Sequence, residues 1–172
     1  GYFISEGITL GANNSLNIAL GDLDGDGDLD GVVTNWGQGN TVWVNDGTGV
    51  FAQSTSGTLS NDYTYGVALG DIDNDGDIDV AIATILGGNS LWFNDGNGVF
   101  TTTTATLGTG LSLDVTLGDL DNDGDLDAAV ANSGSDNTIW FNDGLGQFTA
   151  STATLGSGNS QAITCGDLDG DG

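Results

Sequence analysis

The chain has 172 residues, 25 acidic side chains and no Lys, Arg or His, giving a formal charge of −25. Nucleic-acid binding needs cations to displace phosphate counterions, and anionic membrane surfaces repel such a chain. Ser-His-Asp and Cys-His catalysis, lysine Schiff bases and arginine clamps are excluded by the same counts.

Apolar residues make up 37 % of the chain, enough for a core, and 31 Gly with no Pro suit tight turns between short strands. The single Cys rules out an internal disulfide framework. There is no run of 18 apolar residues, so no membrane insertion is expected. With no signal-peptide pattern and no initiator Met, the chain reads as processed or as a piece of something longer.

The chain is periodic. Gly1-Tyr2-Phe3 matches Gly98-Val99-Phe100, the start of a fourth strand. An apolar first strand follows at Ile18-Ala19-Leu20, then an acidic loop over 21–30, then a second strand at Gly31-Val32-Val33-Thr34. The third strand, Thr41 to Val44, carries Trp43, and an Asn-Asp-Gly turn leads to a Thr-rich fourth strand from Phe51. Asn and Gly tolerate the positive φ that tight hairpins require. The series repeats with second strands at Val80 and Ala128, third strands around Trp92 and Trp140, and fourth strands from Phe100 and Phe148.

The repeats run at approximately 3–51, 52–100 and 101–148, with a partial one over 149–172. No stretch shows a helical period. The expected fold is all-β: propeller blades of four antiparallel strands, three full repeats plus a partial one. A stacked β-solenoid is the rival architecture, but its coils usually have shorter periods.

The acidic loop spells D-x-D-x-D-G-x-x-D. Its acids are Asp22, Asp24, Asp26, Asp28 and Asp30; then Asp71, Asp73, Asp75, Asp77 and Asp79; then Asp119, Asp121, Asp123, Asp125 and Asp127. A fourth loop begins with Asp167, Asp169 and Asp171. Eighteen of the 25 acids fall in these loops, five in each complete one. Alternate carboxylates in a curled loop converge on one centre. Calcium accepts six to eight oxygens in flexible geometry, whereas magnesium demands an octahedron and zinc prefers N and S ligands. Without a cation, two carboxylates about 4 Å apart repel by roughly 4 kcal/mol. The intervening Leu23, Ile72 and Leu120 are apolar, as are Leu29, Ile78 and Leu126, which anchors the loop to a core. At loop position 7 (Asp28, Asp77, Asp125) the expected ligand is the main-chain carbonyl. An EF-hand would need an acid at position 12, where Val33, Ile82 and Val130 stand.

With these blocks in place, the chain resembles the VCBS/FG-GAP repeat family, and with it the calcium-binding blades of integrin α-subunit propellers. The resemblance implies a β-propeller with one Ca2+ per complete repeat loop, joining the first two strands of each blade. It implies an extracellular or cell-surface protein serving adhesion or scaffolding, with an unknown protein or glycan ligand. The partial repeats add a further expectation, self-association through incomplete blades in a filament or surface layer.

Three aromatic residues break the register: Trp36, Tyr63 and Tyr65 are the candidate partner contacts. Trp43, Trp92 and Trp140 are expected to pack between neighbouring blades. Cys165, in register with Leu20, Leu69 and Leu117, is expected to be a small buried hydrophobe. No catalytic residue is identified. The carboxylates outside the loops are few, which disfavours a glycosidase.

Overall fold

The computed structural model describes residues 10–11, 13–56, 59 and 63–167. All regular structure among them is β. Four strands, β1 (Ser15–Gly21), β2 (Asp30–Asn35), β3 (Thr41–Asn45) and β4 (Phe51–Gln53), form one antiparallel sheet in chain order. The next four, β5 (Thr64–Gly70), β6 (Asp79–Thr84), β7 (Ser90–Asn94) and β8 (Phe100–Thr102), repeat it with the same pairings. Val32 faces Val42 in the first sheet, and Ala81 faces Leu91 in the second.

The third sheet departs from the expected four strands. It is built from β9 (Ser112–Gly118), β10 (Asp127–Asn142) and β11 (Phe148–Asn159), in the order β11-β10-β9. β10 contains both middle strands of the repeat. Its first part pairs with β9 and its second part with β11. Asn142 N donates to Asp127 Oδ1 at 2.9 Å, so the two ends of β10 meet and the element folds back on itself. The bend lies at Asn132–Asn137, where Asn132 N donates to Asn137 Oδ1. The same clip closes the β2–β3 turn (Asn35 N to Asn40 Oδ1) and the β6–β7 turn (Thr84 N to Asn89 Oδ1). A longer β11, pairing as far as Ser133↔Asn159, carries the strand through this turn.

The sheets stack as propeller blades do. The first strands β1, β5 and β9 lie side by side, and β2 and β6 each touch the first strand of the following sheet. Two apolar cores fill the gaps. Leu23, Val32, Val42, Leu59, Val67, Val80 and Ile82 fill the first, with Trp92 against them. Ile72, Ala81, Leu91, Leu107, Val115, Ala128 and Val130 are the main members of the second, with Trp140 against them. Each fully buried Val, Leu or Ile adds about 1.5–3 kcal/mol. Trp92 and Trp140 thus pack between blades as expected. Trp43 is half-buried and belongs to neither core.

Coverage by the following sheet decides burial at the second loop position. Leu23 and Ile72 are 0 % exposed, whereas Leu120 is 38 % exposed, because no further sheet follows among the described residues. Cys165 is half-buried rather than buried, lying against Gly118 on that same face. The Thr-rich fourth strands are sheet edges, with Thr101 and Thr102 exposed.

Candidate metal centres

Each acidic loop bridges the first two strands of its sheet. Backbone conformation explains its composition. Loop position 6 is a glycine at positive φ in all three loops (Gly27 92°, Gly76 98°, Gly124 96°). Position 4 also has positive φ, and there Gly25, Asn74 and Asn122 stand. Asn is the non-glycine residue that best tolerates this region.

In each loop, the carboxylates at positions 1, 3 and 9 bring one oxygen each within 4.8 Å of one another. The groups are Asp22, Asp24 and Asp30; Asp71, Asp73 and Asp79; and Asp119, Asp121 and Asp127. Position 1 also shapes the loop. Asp22 accepts from Gly25 N at 2.8 Å and Gly27 N at 2.9 Å, and Asp71 and Asp119 accept from Gly76 N and Gly124 N, both at 3.0 Å.

The acids at positions 5 and 7 lie outside these groups. Asp26, Asp75 and Asp123 each accept from the backbone N–H two residues on, at 2.9–3.0 Å. Asp28, Asp77 and Asp125 lean on the Asn-Asp-Gly turn, against Gly47, Gly96 and Gly144; a Cβ at Gly96 would stand 2.6 Å from Asp77 Oδ2. Asp125 also accepts from Asn74 Nδ2 of the preceding loop at 2.7 Å. Asp167 is exposed, and Asp169 and Asp171 lie outside the described residues.

Position 9 is fully buried at Asp30, Asp79 and Asp127. Its Oδ2 accepts from the position-2 N–H, and its Oδ1 accepts from the N–H of the turn asparagine (Asn45, Asn94 or Asn142), all at 2.8–2.9 Å. One carboxylate therefore ties the loop's entry to the third strand. Sequence reading missed these turn asparagines. Their recurrence in step with Trp43, Trp92 and Trp140 was the available signal, but it says nothing about what they touch.

Whether a cation suits the centre is answered by the oxygens themselves. Asp71 Oδ1 and Asp73 Oδ1 are buried and accept no hydrogen bond. Such atoms carry a desolvation cost of about 1–3 kcal/mol or more, which a cation between them would offset. The electrostatics agree. Asp24, Asp73, Asp77 and Asp121 are pushed above the usual carboxylate range, first by loss of water and then by neighbouring carboxylates. Asp79 is pushed up to about 6 by burial, which outweighs the N–H groups of Asn94 and Ile72 that favour its ionised form. The donor set is all oxygen, so each cluster could hold a hard metal ion.

At the other end of the sheets, the register-breaking aromatics come together. The Trp36 ring meets Tyr63 at 4.9 Å and Tyr65 at 5.4 Å between centroids, both edge-to-face. Trp36 and Tyr63 are exposed and Tyr65 is half-buried. Gly37 makes room for the Tyr63 ring: its absent Cβ would stand 3.2 Å from Tyr63 Cε1.

The FG-GAP-like repeat model matches residues 22–82, 71–130 and 119–172, each match opening on the first aspartate of a loop. The chain belongs to the FG-GAP-like repeat family. A sequence comparison with curated proteins gives no match. The family and the three sheets agree on an all-β, propeller-like repeat architecture. The described residues contain no helix long and apolar enough to cross a membrane.

Proposed function

We propose that this FG-GAP chain is a non-enzymatic, extracellular calcium-binding propeller segment serving adhesion or scaffolding. The observation that carries the reading is the convergence of positions 1, 3 and 9 with buried, unpaired oxygens at Asp71 and Asp73. Calcium fits better than magnesium because main-chain carbonyls and waters can complete an irregular shell around three carboxylates. The ion would offset the repulsion within each loop and fix the crossing from first to second strand. Extracellular modules typically bind calcium with Kd of about 10⁻⁴–10⁻³ M.

The test is thermal unfolding of the chain with millimolar calcium, with excess EDTA, and with calcium restored. Tm falls in EDTA and returns with calcium, while magnesium restores it only in part. An identical Tm in all conditions would reject the reading.

The surface assigned to a protein or glycan partner is the Trp36–Tyr63–Tyr65 cluster, since exposed aromatics with a polar edge suit wet interfaces. One observation favours a second reading, a filament or surface-layer subunit. The first sheet presents Leu16, Ile18, Leu20 and Leu29, each 45–56 % exposed, on the side away from the second sheet. Light scattering that finds only monomer at high concentration would reject it.

A further inference from the structure

The three candidate metal loops are joined by one continuous path of short hydrogen bonds. In the first loop, Leu23 N donates to Asp30 Oδ2 at 2.8 Å. The carbonyl of the same Leu23 accepts from Asn94 Nδ2 at 2.8 Å, across the junction between sheets. Asn94 N in turn donates to Asp79 Oδ1 of the second loop at 2.8 Å. The next junction repeats the motif. Ile72 N donates to Asp79 Oδ2 at 2.9 Å, Ile72 O accepts from Asn142 Nδ2 at 2.8 Å, and Asn142 N donates to Asp127 Oδ1 at 2.9 Å. Both bridging asparagines are 5 % exposed.

We infer that Asn94 and Asn142 are positioning residues that couple neighbouring metal centres, so that the sites fill cooperatively. This rests on the calcium reading above and deepens it. The path runs from the position-9 carboxylate of one loop to that of the next through a single asparagine and a single backbone residue, Leu23 or Ile72. A cation that fixes Asp79 fixes the backbone of Asn94. The side chain of Asn94 then holds the carbonyl of Leu23, the residue between Asp22 and Asp24, the two acids that must converge in the first loop. Each asparagine also serves its own loop, through its N–H on the position-9 carboxylate and through Nδ2 on Ile78 O or Leu126 O at 3.1 Å, but its bond to Leu23 O or Ile72 O of the preceding loop would not be needed for a loop that acted alone. Each buried amide thus spans two loops at once, since the same Nδ2 donates within its own loop and across the junction. Coupling between binding sites is reciprocal, and between two sites it typically changes affinity by about 5–150-fold. A second contact joins the second and third loops in the opposite donor sense, with Asn74 Nδ2 donating to Asp125 Oδ1.

The chain contains its own control. Asn45 has the same place in the first sheet, and its N–H donates to Asp30 Oδ1 in the same manner. Among the described residues, however, its Nδ2 reaches only Leu29 O of its own loop, at 3.2 Å. Asn45→Ala therefore removes the turn's side chain without cutting a path between loops.

The experiment is calorimetric calcium titration of the intact chain and of Asn94→Ala, Asn142→Ala and Asn45→Ala, each checked for native circular dichroism in saturating calcium. Amide hydrogen exchange at Leu23 and Ile72 is followed in parallel. The parent chain gives a Hill coefficient above 1. Asn94→Ala and Asn142→Ala lower it and weaken the later calcium-binding steps by about fivefold or more, while the first step keeps its affinity. Asn45→Ala leaves the coefficient at the parent value. Calcium slows exchange at Leu23 in the parent and Asn45→Ala but much less in Asn94→Ala. A parent Hill coefficient of 1, or equal loss in Asn45→Ala and Asn94→Ala, overturns the coupling while leaving calcium binding intact. Absence of any calcium heat in the parent overturns the calcium reading itself. Should one bridging variant fail to fold, the other junction and the parent's own coefficient still decide.

Discussion

Gly66 of β5 lies so close to β9 that a Cβ on it would stand 2.6 Å from the Asp114 Cα and 3.0 Å from Val115 N. The neighbour is backbone, so no side-chain rotation relieves the contact. Gly66→Ala is expected to force the second and third sheets apart and cost about 1–3 kcal/mol. Gly31 provides the comparison. It sits in β2, where an added Cβ meets Leu20 Cδ2 at 3.5 Å and Ile18 Cδ1 at 3.7 Å, both ordinary contacts. Gly31→Ala is expected to be neutral or to stabilise by about 0.4–1 kcal/mol. Urea unfolding of both variants in calcium checks the pair, and equal midpoints would contradict this account of the sheet junction.

Asp73 and Asp79 belong to the same cluster but carry different loads. Asp79 accepts from Ile72 N and Asn94 N, whereas Asp73 Oδ1 is buried with no donor. Asp79→Ala leaves two buried N–H groups without an acceptor and is expected to destabilise even the metal-free chain, by about 2–4 kcal/mol. Asp73→Asn relieves like-charge repulsion and leaves that clamp intact. It is expected to keep or slightly raise the Tm in EDTA while losing part of the gain from calcium. Melting curves of both variants with and without calcium separate the clamp from the ligand.

The path from sequence to fold was short where a residue's neighbours are local. Apolar first and second strands, Asn-Asp-Gly turns and glycines at position 6 each state their own conformation, and the sheets follow them. The convergence of alternate aspartates was legible for the same reason. The split within the loop was legible only in part. The ligand order of calcium loops set position 7 apart, but position 5 looks like positions 1 and 3 in sequence, and only the fold places Asp77 against Gly96 of the turn. The bridging role of Asn94 was equally hidden, because its partner Leu23 lies 71 residues away. The fusion of two strands into β10 depends on the length of β11, which Thr and Ser composition does not set.

Trp36 and Trp92 separate surface from core. Trp92 packs on the apolar cluster between the first two sheets, and Trp36 stands at the edge with Tyr63 and Tyr65. Trp92→Ala is expected to cost about 3–5 kcal/mol, in the range of large core truncations. Trp36→Ala is expected to cost about 1 kcal/mol, in line with lost aromatic pairing at a partly exposed site. If the cluster is the partner surface, Trp36→Ala also abolishes retention on a glycan array or a protein ligand column while the calcium response of Tm stays as in the parent. Retention equal to the parent would remove the cluster from the binding surface.

Proton uptake gives the metal-free chain an unusual pH dependence. Asp79 is held at about 6 in the fold by burial, against 3.8 for an unperturbed aspartate. Between those two values the folded chain binds a proton that the unfolded chain releases. Stability from this group is therefore complete below about pH 3.8 and is lost as pH rises through 6. The upward shifts of Asp24, Asp73, Asp77 and Asp121 act in the same direction. In EDTA, Tm should consequently rise as pH is lowered from 7.5 to 5. Calcium requires the ionised carboxylates, so its stabilising increment should shrink over the same interval. The two effects oppose each other, and the curves with and without calcium converge toward acid pH. A Tm in EDTA that falls steadily from pH 7.5 to 5 would mean that the buried aspartates are ionised in the metal-free fold.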